Sequence, residues 1–220
     1  MAECQSPDFG GADEYAGVAR FYDFLIEPFM HGLRRAVRNR ALELGSRSFL
    51  DVACGTGRQL EMFKDHDVRV TGIDSSGAML AVARMKTRSE INYVHADATG
   101  MPFEGHSFDC AGITFALHEM ESGARRKVVS EMLRVLSPGG RLLIVDYVRP
   151  RGLVSNMALG LASLIERAAG SRHYHCYKEF IARQGACGLA ESLKGGYNLT
   201  HRFLFGAAGL VEIQKARDGE

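Results

Sequence analysis

Short continuous apolar runs alternate with segments of helical spacing along the middle of this chain. An apolar run of about four to eight residues is typical of a buried strand, and apolar residues three or four positions apart are typical of a helix. Their alternation predicts a parallel sheet wound by helices. The predicted strands are residues 48–53, 69–73, 91–95, 107–114 and 141–147, and the predicted helices are residues 58–64, 76–86 and 123–136.

The segments on either side of this region have other patterns. Residues 14–25 and 28–44 have helical spacing, and Pro28 suits the first turn of the second helix. After the alternating region, we predict helices over 153–169 and 174–184 and an antiparallel hairpin over 197–205 and 209–215.

These elements predict one α/β domain over residues 1–220, with a doubly wound, mostly parallel sheet. The length fits this prediction, because 220 residues suffice for one well-buried domain and are few for two. We divide the chain into a helical cap at 1–45, a βα core at 46–150, a helical insertion at 151–196 and a closing hairpin at 197–217.

Composition and charge narrow the classes of function. A net charge of +1 provides no electrostatic footprint for nucleic acid. The five cysteines form neither a close CxxC pair nor a secreted-type framework, which favours reduced thiols in the cytoplasm. The N-terminus has no apolar signal core, and no apolar stretch reaches the roughly 18 residues of a membrane span. We predict a cytoplasmic protein that binds no nucleic acid and does not insert stably into membranes.

A glycine-rich turn follows the first predicted strand, in the sequence Phe49-Leu-Asp-Val-Ala-Cys-Gly-Thr-Gly57. Asp74 ends the second strand, where a carboxylate can accept hydrogen bonds from both ribose hydroxyls of a ligand at the turn. Leu60 occupies the place of the third glycine of a dinucleotide site, and the Asp51 carboxylate would repel a pyrophosphate. The pattern therefore predicts an adenosyl cofactor that carries a positive charge.

Asp51 to Gly57, Asp74 and the later pair Asp97-Ala98 resemble the S-adenosylmethionine site of class I methyltransferases. The resemblance is greatest to the branch that includes the ubiquinone and menaquinone C-methyltransferases. It implies a Rossmann-like sheet of seven strands, the last two forming the hairpin. It also implies that Asp51 lies near the methionine amino group, while Asp97 and the Ala98 backbone contact the adenine. The other predicted cofactor-binding residues are Ala53, Gly55, Gly57, Ser75, Met79 and Tyr22, the last as a lid or as a core aromatic.

His118, in the sequence Phe115-Ala-Leu-His-Glu-Met120, follows the fourth predicted strand and faces the edge where such sheets bind ligands. With an ordinary pKa of about 6.5, it would serve as a general base for an acceptor that carries a proton. The alternative is a loop histidine bonded to the backbone. Tyr147, His173 and His175 are predicted on the substrate side. No metal is predicted, because His173 to Cys176 fits no common zinc spacing.

The apolar residues of 153–169 are the only pointer to the acceptor. They could wall a lipophilic molecule such as a quinol, lie against a membrane surface, or pack in the core, as is more common. We predict an S-adenosylmethionine-dependent methyltransferase that acts on a small, apolar molecule. The alternatives are a non-catalytic binding module that assists a partner and, with less support, a nicotinamide-dependent oxidoreductase.

Overall fold

A computed structural model describes residues 19–87, 90–193 and 196–217 of the chain. Its strands form one seven-stranded sheet in the order β3-β2-β1-β4-β5-β7-β6. The doubly wound, mostly parallel sheet with a closing antiparallel hairpin is confirmed. The strands are β1 (Ser48–Val52), β2 (Arg69–Asp74), β3 (Asn92–His95), β4 (Phe108–Thr114), β5 (Leu136–Tyr147), β6 (Tyr197–Phe203) and β7 (Ala208–Gln214).

Seven α-helices accompany these strands in the described part of the chain. They are α1 (Ala19–Glu43), α2 (Arg58–Glu61), α3 (Gly77–Lys86), α4 (Ser122–Val135), α5 (Leu153–Ala168), α6 (Ser171–Ala182) and α7 (Gly185–Ser192). Two short 3-10 turns, Leu117–Glu119 and Leu204–Gly206, follow β4 and β6. None of the described helices combines the length and the apolar character that crossing a bilayer would require.

The order of the strands places a crevice at the centre of the sheet. β1 pairs in parallel with both β2 and β4, so the winding direction reverses between β1 and β4. β1 is buried throughout, with Phe49 and Leu50 fully inaccessible, as expected for a central parallel strand. Ligands of doubly wound sheets bind outside the carboxyl ends of the strands at such a reversal.

The predicted break between two N-terminal helices is wrong, because α1 continues through Pro28. Residues 14–18 of the first predicted helix lie outside the described residues. Proline removes one hydrogen bond, but the later turns of α1 are buried against the sheet through Leu33, Val37 and Ala41. We attribute the continuity of the helix to this packing.

β5 begins five residues earlier than predicted. Phe108 of β4 pairs with Leu136, whereas Cys110 pairs with Arg141, so residues 137–140 form a bulge within the strand. The preceding helix α4 ends at Val135, just before the sequence Ser-Pro-Gly-Gly at 137–140, close to the predicted end at residue 136. This sequence does not delay β5, because Leu136 is fully buried and already pairs with β4.

Most of the large apolar side chains of α5 do not pack in the core, contrary to the more common outcome. Leu153, Leu161 and Ile165 are 77%, 64% and 67% exposed. The buried face of α5 carries Ser155, Leu159 and Glu166 instead, with Leu159 at 8% and Glu166 at 7%. Apolar residues lie on both faces of this helix, so periodicity did not show which face is buried. The exposed large apolar side chains of α5 are Leu153, Val154, Met157, Leu161, Leu164 and Ile165.

α7 was not predicted, because Gly185 and Gly188 lower the helical propensity of its sequence. Both glycines meet close neighbours. A Cβ at Gly185 would overlap the Tyr147 carbonyl, and a Cβ at Gly188 would overlap the Arg183 carbonyl. Tertiary packing against β5 and β7 thus overrides local propensity here.

Candidate active site

The turn between β1 and α2 has a left-handed backbone at three positions. Ala53, Gly55 and Gly57 have φ values of 55°, 54° and 76°. Glycine adopts this region without strain, whereas Ala53 carries a Cβ there at some cost. Gly57 is also restricted by space, because an added Cβ would overlap the Tyr93 side chain of β3. The turn therefore presents backbone rather than side chains to the crevice.

Asp74 ties the end of β2 to this turn. The Gly55 N–H donates to its Oδ2 atom at 2.7 Å, and the Ser76 N–H donates to its Oδ1 atom at 2.8 Å. Both carboxylate oxygens thus accept a backbone hydrogen bond, which fixes the orientation of the carboxylate. The structure thus holds the Asp74 carboxylate at the carboxyl edge of the sheet, beside the glycine-rich turn.

Asp51 is a buried carboxylate next to the same turn, with 3% of its surface exposed. Burial raises the pKa of Asp51 to about 8, with the positive charge of Arg34 opposing and the negative charge of Asp74 adding to the shift. Ionising a buried acid is costly, and a cationic ligand would lower that cost.

The other predicted cofactor residues occupy different environments. Asp97 is exposed, and its Oδ1 atom accepts a bond from the Thr99 N–H at 2.7 Å, which forms an Asx-turn. Ala98 follows it and is partly buried. Ser76 rather than Ser75 caps α3, because its side chain accepts from the Met79 N–H at 3.1 Å.

The other three predicted cofactor residues are Met79, Ser75 and Tyr22. Met79 is buried at 3% exposure, whereas Ser75 is exposed and its carbonyl contacts His95 Nε2 at 2.9 Å. Tyr22 belongs to α1, but its side chain lies outside the described residues. The contacts of these residues with a cofactor stay predictions.

His118 lies in the 3-10 turn after β4, and only 3% of its surface is exposed. Its Nδ1 atom lies 2.8 Å from Oδ1 of Asp146, which is fully buried near the end of β5. The Oδ2 atom of Asp146 accepts bonds from the N–H groups of Leu117, at 3.1 Å, and His118, at 3.2 Å. Asp146 thus holds both the backbone and the ring of His118 in one orientation.

Glu166 of α5 lies on the other side of the His118 ring. Its Oε2 atom is 3.6 Å from His118 Nε2 and contacts His173 Nε2 of α6. Tyr147 donates its hydroxyl hydrogen to the other oxygen, Oε1, at 2.6 Å. We call His118, Asp146, Tyr147, Glu166 and His173 the His118 cluster. Four elements meet in this cluster: the 3-10 turn, β5, α5 and α6.

Opposite charges within the cluster shift the pKa values of its members. Burial lowers the pKa of His118, but the charge and hydrogen bond of Asp146, followed by Glu166 and Glu119, outweigh burial and raise it to about 10. Burial raises the pKa of Glu166, whereas His118, Tyr147 and His173 together lower it to about 2. The ordinary pKa expected of His118 is therefore wrong, because two carboxylates flank the ring.

The predicted substrate-side residues are only partly brought together. Tyr147 and His173 both belong to the His118 cluster, with ring centroids 5.0 Å and 5.6 Å from that of His118. His175 is exposed and lies two positions along α6, about 200° around the helix from His173. The structure therefore separates His175 from the cluster.

Sequence analysis missed Asp146 and Glu166, although each leaves a signal in the sequence. Asp146 is the only acid in the apolar strand β5, and Glu166 is the only acid in the apolar helix α5. A charged residue in a buried run needs a partner, so its presence indicates a polar site. The distance between the two in the chain, 20 residues, concealed their meeting at one histidine.

Residues 49–140 match the family model described as a methyltransferase domain. The matched segment runs from β1 into β5 and includes the glycine-rich turn, Asp74 and His118. In this segment the chain is similar to methyltransferase domains. This similarity agrees with the resemblance on which the predicted cofactor rests.

Named methyltransferases are similar to the chain over somewhat less than two thirds of its length. The demethylmenaquinone methyltransferase of Paenarthrobacter aurescens is 35% identical over 143 residues, covering 63% of this chain and 55% of that protein. The ubiquinone/menaquinone biosynthesis C-methyltransferase of Pseudomonas paraeruginosa is 34% identical over 151 residues, covering 63% and 58%. The chain thus spans little more than half the length of these relatives.

Solved methyltransferase structures share the fold. An O-methyltransferase family protein from Burkholderia thailandensis superposes with a TM-score of 0.72 and 16% identity, over 92% of this chain and 60% of that one. At this identity the similarity extends to the architecture of the sheet and its helices alone.

Proposed function

We propose that the chain is a class I methyltransferase, which transfers a methyl group from S-adenosylmethionine to a small, apolar acceptor. The observation that carries the proposal is the buried Asp51 carboxyl group, which lies beside a turn that Asp74 holds in place. The Asp74 carboxylate, together with an Asp51 that a cation would ionise, suits a cationic nucleoside better than a pyrophosphate, so the nicotinamide alternative has less support.

The residues present fit S-adenosylmethionine. Asp74, held at the edge of the sheet by its two backbone bonds, would accept from the ribose hydroxyls, and Asp51 would face the methionine ammonium group. The turn from Ala53 to Gly57 would lie against the cofactor without intervening side chains, and Asp97, Ala98, Ser75, Met79 and Tyr22 are the proposed adenosine contacts. When bound, the cofactor supplies an electrophilic methyl group on a sulfonium.

The protein itself contributes to the transfer by aligning the two reactants. Fixing both reactants in line is worth about 7 to 11 kcal/mol in comparable intramolecular reactions. Asp51 and Asp74 would hold the cofactor over β1 and β2, while the His118 cluster lies at the adjoining ends of β4 and β5. We propose that the acceptor lies between these two groups of residues.

A quinol-like ring is the acceptor that we propose. Phe115, Tyr147 and Tyr177 surround His118, with ring centroids 5.0 Å to 6.3 Å from its own, and aromatic walls suit a flat apolar ring. The names of the relatives, which refer to demethylmenaquinone and to ubiquinone or menaquinone biosynthesis, support the same class. The four described cysteines are free thiols, which favours the cytoplasm as the compartment.

Methyl transfer is tested by incubating the chain with methyl-labelled S-adenosylmethionine and a short-chain demethylmenaquinol, followed by mass spectrometry. We expect a product heavier by one labelled methyl group, and none with the Asp74→Ala variant. Cofactor binding without transfer to this acceptor or to a lysate extract would contradict the enzyme and support the binding module. Binding of a nicotinamide dinucleotide in place of S-adenosylmethionine, measured by calorimetry, would contradict both.

A further inference from the structure

The His118 cluster and the neighbouring Glu119 together contain more potential metal ligands than methyl transfer requires. A ring nitrogen of His118, a ring nitrogen of His173 and a carboxylate oxygen of Glu119 all lie within 4.8 Å of one another. His118 Nε2 is 3.8 Å from Glu119 Oε1 and 3.6 Å from Glu166 Oε2, which also contacts His173 Nε2. Two imidazoles and the Glu119 carboxylate thus lie close together, and the Glu166 carboxylate adjoins both imidazoles.

We propose that His118, Glu119, Glu166 and His173 form a binding site for a divalent transition-metal ion such as Zn²⁺. Zinc binds nitrogen and carboxylate oxygen at about 2.0–2.2 Å, which places tetrahedral ligand atoms about 3.3–3.5 Å apart. The separations of 3.6 Å and 3.8 Å around His118 Nε2 are close to this value. Small side-chain rotations of Glu119 and His173, which are 31% and 21% exposed, bring the donors onto one ion.

A second layer of hydrogen bonds supports the ligand set. Asp146 bonds to Nδ1 of His118, so that Nε2 faces Glu119 and Glu166 and would ligate the proposed ion once it has released its proton. A histidine ligand whose other nitrogen donates to a carboxylate is the usual arrangement at protein zinc sites. Tyr147 fixes Oε1 of Glu166, so that Oε2 faces the two histidines. Asp146 and Tyr147 therefore orient two of the four ligands.

The charge of the ligand set suits a dication. Glu119 and Glu166 are two carboxylates, and with neutral imidazoles they balance the two positive charges of the ion. Without the ion, the histidines and carboxylates pair with one another, as the His173–Glu166 contact shows. The ion replaces this pairing, because an Nε2 lone pair that ligates a metal carries no proton to donate to Glu166.

Sequence analysis predicted no metal, because His173 to Cys176 has no zinc spacing and no matching pair of ligands was recognised elsewhere in the sequence. The fold supplies that pair from His118-Glu119, 54 residues before His173. His118 of the fourth strand's turn and His173 of α6 meet only when α5 and α6 close over the sheet. Sites assembled from distant segments carry no local motif.

Calorimetric titration of the chelator-treated full chain with Zn²⁺ tests the proposal, without cofactor or acceptor, so its outcome is separate from that of methyl transfer. We expect one strong site per chain. His173→Ala should weaken Zn²⁺ binding by about 100-fold and Glu119→Gln by at least about tenfold. Both side chains are partly exposed, so circular dichroism should show a retained fold.

His175→Ala is the matched control, because it removes an exposed histidine from the same helix. We expect its Zn²⁺ affinity to equal that of the wild type. The proposal is overturned if the wild type shows no stoichiometric site. It is also overturned if His173→Ala binds Zn²⁺ as the wild type does, or if His175→Ala loses as much affinity as His173→Ala. Should His173→Ala fail to fold, Glu119→Gln decides by the same criteria.

Discussion

Asp51 carries a large electrostatic cost in the cofactor-free protein. Its burial raises its pKa to about 8, against an ordinary value of 3.8. Binding of a cation converts this cost into affinity, because the ligand ionises an acid that the fold alone keeps protonated at neutral pH. The same residue therefore lowers stability and supports binding.

Asp51→Asn should change the pH dependence of unfolding. Because the folded pKa is raised, the native state holds more protons between pH 4 and 8, and stability falls as the pH rises through this window. Each unit of the shift is worth roughly 1.4 kcal/mol. We expect the variant to be more stable than the wild type at pH 9 and to bind S-adenosylmethionine more weakly. Urea unfolding at pH 5 and pH 9 measures this, and equal slopes in both proteins would contradict it.

Asp74→Ala should abolish measurable cofactor binding while the fold remains. The substitution removes two backbone hydrogen bonds to a charged acceptor, each worth about 1.5–3 kcal/mol, together with the proposed ribose contact. We expect at least a 100-fold loss of affinity in a calorimetric titration. Asp65→Ala, at an exposed position before β2, should bind as the wild type does. Unchanged affinity in Asp74→Ala would remove the ribose assignment.

Local sequence was sufficient to locate Asp51 and Asp74, because each lies at the end of a buried strand beside a glycine-rich turn. It was insufficient for Glu166, which reaches His118 only through the packing of α5. It also gave the wrong pKa for His118, since the shift depends on Asp146 and Glu166, which lie 28 and 48 residues away in the chain. Contacts between distant segments are therefore what the local pattern could not supply.

At the scale of elements, α5 is the helix whose packing differs most from the prediction. Leu159 lies on the buried face, whereas Leu161 lies on the exposed face at 64%. We expect Leu159→Ala to cost about 2–5 kcal/mol of unfolding free energy, because it leaves a cavity in the core. Leu161→Ala should stay within about 0.5 kcal/mol of the wild type. Chemical denaturation measures both, and equal losses would show that both faces of α5 are covered.

The close packing of β2 against the glycine-rich turn gives a second prediction at this scale. A Cβ at Gly72 would lie 2.7 Å from Cys54 Sγ and 2.8 Å from Leu60 Cδ1. Gly72→Ala should therefore destabilise the protein by about 1–3 kcal/mol through overpacking. Gly160→Ala, in the exposed part of α5 with no neighbour within 4 Å, should stabilise it by about 0.5–1 kcal/mol. Thermal unfolding would contradict this account if the two changes had the same sign.

At the scale of the whole molecule, the alternation of strands and helices was enough to predict the class of fold. The alternating pattern from residue 48 to 147 and the closing hairpin both have their counterparts in the seven-stranded sheet. The position of the site follows from the sheet. The winding direction reverses between β1 and β4, and Asp51, Asp74 and the His118 cluster lie near the carboxyl ends of the strands at this reversal. The continuation of α1 through Pro28 and the bulge of β5 at 137–140 depend on tertiary packing. Neither was predictable from local propensity.

The central claim is that the crevice above β1 and β2 holds S-adenosylmethionine. A crystal structure of the chain grown with this cofactor tests the claim most directly. We predict that the ribose hydroxyls bond to Asp74, that the methionine ammonium group faces Asp51, and that the methyl group points toward the His118 cluster. An empty crevice, or a cofactor bound elsewhere on the molecule, would contradict the account.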